Sequence, residues 1–454
     1  MRVGKVTIIV AVLLLCIQLS TSRAVMGKQK LILLLVDGLR WDSFGQNLPH
    51  LNEVARTGVK TAWMDGVFPT LSTTSTYSIA TGLYPESHGV IHNVYFDPIT
   101  KNRTYKFADT LNVTEWFDTG AEPIWVTAIL QGKHAGTIMY PGGNVPIKGI
   151  RPDRNVPSTL WFRDNYEMKA RINDAISWLT EEDFDLVMLY FYQPDDWLHA
   201  YGIGHPESIN KLLEVDQAVG FLFDVIAERQ LEDIVNVIIA SDHGQINQKP
   251  WKHVCLYDYI NESDVDFMVA DYGPMFQLVP NDGKLDEIYS ALKTAHPALT
   301  VYKKEDIPYR LHYGKSDRVL PIFGLVDPGW HLHTRIGRNE AYFEGASHGY
   351  DNQWMMMKSS FYARGPFFRQ NYAALPIEAV DIYPLMCEIL GLDPAPNNGS
   401  RDRYVDMIAV GQGGWLSHRK VKPGERHKGR QTGYAQRLLT RRCCVPLLEP
   451  LASV

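Results

Sequence analysis

Cysteine is scarce in this chain, and what there is lies scattered. Of five cysteines, Cys16 sits in an apolar leader, while Cys255, Cys387, Cys443 and Cys444 remain without any CxxC pairing. This excludes a disulfide framework and a thiolate zinc site as the basis of the fold. Cys387 falls in the apolar helical pattern IYPLMCEILGL and reads as a core residue. No apolar run reaches the length of a membrane span, and no internal repeat is visible. Net positive charge is missing from the main body. The net charge is −6, but Arg419 to Arg442 carries nine Lys/Arg against Glu425, which leaves −14 for the rest. Such a body does not suit nucleic-acid binding beyond small nucleotides. The basic run at residues 408–454 reads as a solvated, poorly ordered tail, with contact to an acidic membrane surface as the sharper alternative.

What is present begins with an address. Arg2 and Lys5 precede an apolar run from Val6 to Leu19, followed by Ser20 to Ser22. Residues 1–22 therefore read as a secretory signal peptide, with an uncleaved anchor as the alternative disfavoured by the shortness of the run. Four N-x-S/T sequons, at Asn102, Asn112, Asn261 and Asn398, fit the secretory route as glycosylation sites. No C-terminal anchor is evident in CCVPLLEPLASV, which is short and contains Glu449 and Pro450. The expected location is secreted or on the outer face of the plasma membrane.

With 45% apolar residues, a sizeable core can form. Leu31–Val36, Leu186–Phe191 and Asn236–Ser241 are continuous apolar runs of the kind found in buried parallel strands. Trp125–Leu130 and Thr137–Tyr140 are two further strand candidates. Asn47–Arg56, Met168–Leu179, Ser208–Arg229 and Ile377–Leu390 read as helices. This alternation predicts an α/β catalytic domain over residues 30–407 with a mainly parallel sheet flanked by helices. Residues 267–333 carry shorter strand-like pieces (FQLV, VYKK, YRLHY, IFGLV) around a helix at Leu285–Ala295, read as a small inserted α+β lobe.

Chemistry collects at the strand ends. The first buried run ends at Asp37, the second is followed by QPDDWLH, and the third by Asp242-His243. In open α/β sheets, ligands bind at the carboxyl ends of strands, so these groups would converge on one crevice. Asp195 and His199 are four apart, one helical turn, and GASHGYDN adds His348 in a Gly-flanked loop. Carboxylates and imidazoles without thiolates suit zinc, and a pair of ions suits in-line phosphoryl displacement. The count suffices for two Zn2+: Asp37, Asp242, His243 and the Ser72 oxygen around one, and Asp195, His199 and His348 around the other. Ser72 lies in a hydroxyl-rich run, Thr70 to Thr76, that leads into a short apolar helical pattern. A serine or threonine at a helix start sits where backbone N–H groups and the helix dipole favour an anion.

The ordered series VDGLRWD, PTLSTTSTYSIATGLYPESHG, PDDWLH, SDHG and SHGYDN resembles the ectonucleotide pyrophosphatase/phosphodiesterase family of the alkaline phosphatase superfamily. The resemblance spans Lys30 to Leu392. It is most like the alkaline sphingomyelinase branch through PIWVTA, YPGGNVPIKGI, LTEEDFDLVMLYF, AHPALTVYKKE and HGYDNQWMMMK, with the choline-specific glycerophosphodiesterase branch second. It implies an alkaline-phosphatase-like core, with Ser72 as nucleophile (Thr70 the alternative), Asn93 holding a phosphate oxygen, and the seven metal ligands above. It also implies an extracellular zinc phosphodiesterase working through a phospho-serine.

By the same resemblance, Tyr140, Tyr166 and Phe267 match aromatic headgroup positions, and aromatic faces are the natural receptor for a quaternary ammonium. The expected substrate is a choline phospholipid of the sphingomyelin or lysophosphatidylcholine type, cleaved with release of phosphocholine. Nucleotide hydrolysis on the same scaffold is the alternative, and a non-catalytic surface-recognition protein the second alternative. Against the family pattern, Thr73 to Thr76, Gln193, Trp197-Leu198 and Gln245 depart from the usual residues.

Overall fold

The computed structural model describes residues 29–158, 167–335 and 345–409, so the predicted signal peptide, Tyr166 and the basic tail lie outside the described residues. The strand Lys30–Val36 is buried at every position, as its unbroken apolar run requires. It pairs in parallel with Leu186–Phe191 on one side and Val235–Ala240 on the other. Ala135–Ile138 and Arg154–Val156 extend the sheet in parallel beyond Leu186–Phe191. On the far side Phe361–Arg364 runs antiparallel, followed by Val59–Thr61 and Tyr372–Ala374. The result is an eight-stranded, mainly parallel sheet.

Helices cover it. Pro49–Thr57, Met168–Glu181 and Pro206–Glu228 match the sequence reading within a few residues. A separate four-stranded antiparallel sheet, with Met275–Pro280 and Ile322–Val326 at its centre, carries the helix Leu285–Lys293 over residues 265–326. It has its own apolar cluster, including Phe276, Leu278, Ile288, Leu292 and Ile322. Among the described residues, no helix is long and apolar enough to cross a membrane.

Three local expectations are corrected. Trp125–Leu130, read as a strand, belongs to the helix Ile124–Leu130. The Pro123 carbonyl accepts the Val126 and Thr127 N–H groups, starting a helical turn where a short apolar run alone is ambiguous. YRLHY forms no strand: Tyr309–Leu311 is a 3-10 turn, closed by His312 at φ 46°. The last helix starts later, at Ile382, because Ile377–Glu378 first pairs with Met64–Asp65 and a Glu378/Asp381 capping box follows.

Candidate metal and phosphoryl-transfer site

Three neighbouring parallel strands all point their carboxyl ends at one edge, and each delivers a ligand there. Lys30–Val36 leads into Asp37, Leu186–Phe191 into Asp195, and Val235–Ala240 into Asp242 and His243. Asp195 opens the helix Asp195–Tyr201, which brings His199 round one turn later, with Nε2 3.3 Å from the Asp195 carboxylate. His348 arrives from a different quarter: Ile246 pairs antiparallel with Ser347, carrying the next residue into the cleft. Its Nε2 lies 3.1 Å from that of His199 and 3.8 Å from Asp195.

The other cluster is built around His243, whose Nε2 is 3.2 Å from Asp37, 3.5 Å from Asp242 and 3.2 Å from Ser72 Oγ. Ligand atoms of Asp195, His199 and His348 lie within 4.8 Å of one another, and so do those of Asp37, Asp195 and His243. The two groups share Asp195, and the His243 and His348 rings stack at 3.5 Å.

The donors are oriented for cations. Nδ1 of His199 donates to the Ala346 carbonyl, Nδ1 of His348 to that of Thr70, and Nδ1 of His243 to that of Gly244. A carbonyl can only accept, so in each neutral ring the Nε2 lone pair is the one left for the cleft, the usual arrangement behind metal-binding imidazoles. Asp37 Oδ1 and Asp242 Oδ2 are buried with no hydrogen-bond partner, which is costly unless a cation meets them. Burial, with the Asp195 charge beside it, pushes the Asp37 carboxyl well above the ordinary carboxylate range, and burial followed by Asp37 does the same to Asp242. Burial also works upward on Asp195, but the facing imidazoles of His199, His348 and His243 outweigh it and hold the carboxyl low. Carboxylates and imidazoles thus converge here in two groups that could hold metal, with the Asp37 and Asp242 oxygens left for a cation to meet.

Ser72 is the first residue of the helix Ser72–Thr81, whose ten residues are all buried. Thr70, the alternative nucleophile, is committed elsewhere: its hydroxyl donates to the Tyr350 carbonyl and accepts the Gly349 N–H. Asn93 accepts the Thr73 N–H at 2.8 Å, and its side chain interacts with the nearby Tyr272 hydroxyl. Tyr272, packed at 5.6 Å against the His92 ring, is a site residue that sequence reasoning missed. Gln245, noted only as a departure from the family pattern, donates from Nε2 to the Asp195 carboxylate, and Tyr190 donates to Asp37.

Of the predicted headgroup aromatics, Tyr140 and Phe267 are described and both are largely enclosed. Tyr140 is sealed in the core, its hydroxyl donated to the Thr76 carbonyl and its ring 5.8 Å from Trp125, so it presents no open face. Phe267 is nearly buried and leans on Phe96. Asn102, Asn112, Asn261 and Asn398 are all exposed.

Comparison with known proteins agrees with this geometry. Residues 31–351 match the family described as type I phosphodiesterase / nucleotide pyrophosphatase. The human ectonucleotide pyrophosphatase/phosphodiesterase family member 7 is 39% identical over 84% of this chain and 84% of its own. The bis(5'-adenosyl)-triphosphatase of Xenopus laevis is 35% identical over 84% and 82%. Among solved structures, an inactive form of murine family member 5 in complex with AMP superposes with a TM-score of 0.78 at 33% identity, covering 84% of this chain and 100% of that one. With the strand-end carboxylates, the imidazoles and the helix-borne serine in one cleft, this chain belongs to the type I phosphodiesterase / nucleotide pyrophosphatase family.

Proposed function

We propose that this protein is a two-zinc phosphodiesterase acting outside the cell, that Ser72 is its nucleophile, and that its substrates are choline phospholipids cleaved to release phosphocholine. The observation that carries the mechanism is the position of Ser72 Oγ, at a helix N-terminus and 3.2 Å from His243 Nε2, beside both ligand clusters. When bound by Asp37, Asp242, His243 and Ser72 on one side and Asp195, His199 and His348 on the other, zinc supplies Lewis acidity and lowers hydroxyl and water pKa values.

The chain's own residues do the rest. Ser72 Oγ forms a bond to phosphorus as the bond to the leaving alcohol breaks, and the serine proton ends on that alcohol. Water then attacks the phospho-serine from the opposite side and restores Ser72. Asn93, anchored by the Thr73 N–H, positions its amide to hold a phosphoryl oxygen as charge builds.

Similarity to family member 7 supports the choline-lipid reading. The AMP complex of a relative and the name of the adenosyl-triphosphatase relative favour nucleotide hydrolysis as the second reading. Since Tyr140 is closed off, headgroup contact in the first reading would fall to Phe267, Tyr166 and Tyr272. Hydrolysis of p-nitrophenyl phosphocholine against p-nitrophenyl thymidine monophosphate separates the two readings, with Ser72→Ala and chelator-treated protein as controls. Preference for the phosphocholine ester, lost in both controls, is the expected result; preference for the nucleotide ester overturns the substrate assignment.

A further inference from the structure

A second cluster of imidazoles stands apart from the Ser72 centre and shares no residue with it. The strands His253–Cys255 and His331–His333 pair in parallel, with His253 opposite His331 and Cys255 opposite His333. Strand alternation turns Val254 and Leu332 to one side, where both join the apolar cluster of the smaller sheet. It puts His253, Cys255, His331 and His333 together on the other. The three rings form a triangle, with centroids 4.7 Å apart for His253 and His331, 5.3 Å for His253 and His333, and 5.8 Å for His331 and His333. One nitrogen from each of the three lies within 4.8 Å of the others.

The tautomers are legible. Nε2 of His253 donates to the Pro250 carbonyl, which leaves Nδ1 as a lone pair, buried and without a partner. Nε2 of His331 is also buried and unpartnered. Two such nitrogens in one cluster are a cost that stacking does not remove, since each has lost water and gained nothing. Burial, with the neighbouring imidazoles adding to it, holds His331 down to about 4, so that ring stays neutral at physiological pH. A ligand nitrogen backed by a carbonyl on the opposite nitrogen repeats the arrangement seen at the catalytic imidazoles.

We propose that His253, His331 and His333 form a further metal site, taking one borderline divalent transition ion of the Zn2+ or Cu2+ class. An all-imidazole set suits those ions, and the lack of carboxylates among the three excludes Ca2+ and Mg2+. Cys255 occupies the fourth corner of the same strand face, next to His333 in register.

The test counts metal. The purified full chain is loaded with Zn2+, freed of excess by gel filtration and assayed for zinc per chain, beside His253→Gln and His331→Gln. Each variant is expected to lose one equivalent while hydrolysis of the p-nitrophenyl ester stays at the parental rate. Should buried His331→Gln fail to fold, half-exposed His253→Gln carries the comparison. Cu2+ titration of the parent, followed by electron paramagnetic resonance, is expected to add a signal with several nitrogen couplings that His253→Gln weakens. Unchanged zinc counts in the folded variants, with the same copper spectrum as the parent, would overturn the site. Because metal count and ester hydrolysis are read separately, failure here is distinct from failure of the phosphodiesterase reading.

Discussion

Replacing Asn93 by alanine should separate catalysis from stability. Asn93 is 2% exposed and meets the Thr73 N–H at 2.8 Å. In the resting protein its loss leaves one early helical N–H unpaired, worth about 1 kcal/mol by analogy with a lost helix cap. For a domain of this size that shifts melting by about 2–4 °C at most. In the transition state the same substitution removes a donor to the phosphoryl oxygen. Removing one such donor typically costs about 3 kcal/mol, or about 100- to 1000-fold in kcat. Thermal melts of zinc-loaded protein and steady-state kinetics on a p-nitrophenyl diester would measure both. A kcat within tenfold of the parent, or a loss of activity that only tracks unfolding, would refute the role given to Asn93.

Other expectations follow from the same geometry. Gly244→Ala would set a Cβ 2.2 Å from the Met356 carbonyl oxygen and 2.8 Å from that of Lys358; both are backbone, so about 3 kcal/mol of destabilisation and loss of zinc at the adjacent His243 should appear in melts and metal analysis. Tyr272→Phe removes the hydroxyl beside the Asn93 side chain; kcat should fall about threefold to tenfold, the scale of one lost polar contact, and an unchanged kcat would detach Tyr272 from the site. In the metal-free protein burial pulls His199 down, but Asp195 outweighs it and raises it to about 9. Its contribution to stability is complete below its unfolded value of about 6.5 and is lost as pH climbs through about 9. The raised carboxyls of Asp37 and Asp242 act in the same direction, so the melting temperature of chelated protein should drop across that window while zinc-loaded protein, whose ligating atoms would be kept deprotonated, should not follow it.

Much of this protein is determined by short-range pattern. Three continuous apolar runs specified three buried parallel strands, because only residues covered on both faces can be apolar throughout. The groups following those runs had to share an edge, since parallel strands end on the same side. One helical turn between Asp195 and His199 needed no tertiary information either. Tertiary structure alone decided the rest. Trp125–Leu130 is a helix because Pro123 starts a turn and the core accepts Trp125 in that form; a six-residue apolar run has no period that distinguishes the two. Tyr140 proved to be core for the same reason, since aromatic character does not say which face water can reach. Tyr272 and Gln245 reach Asn93 and Asp195 only through the folded loops, and His253 meets His331 and His333 only through a strand pairing 78 residues apart in the chain. Ligands delivered by adjacent strand ends can be read from order and spacing, whereas partners joined by loop paths and lateral pairing exist only once the chain has closed around them.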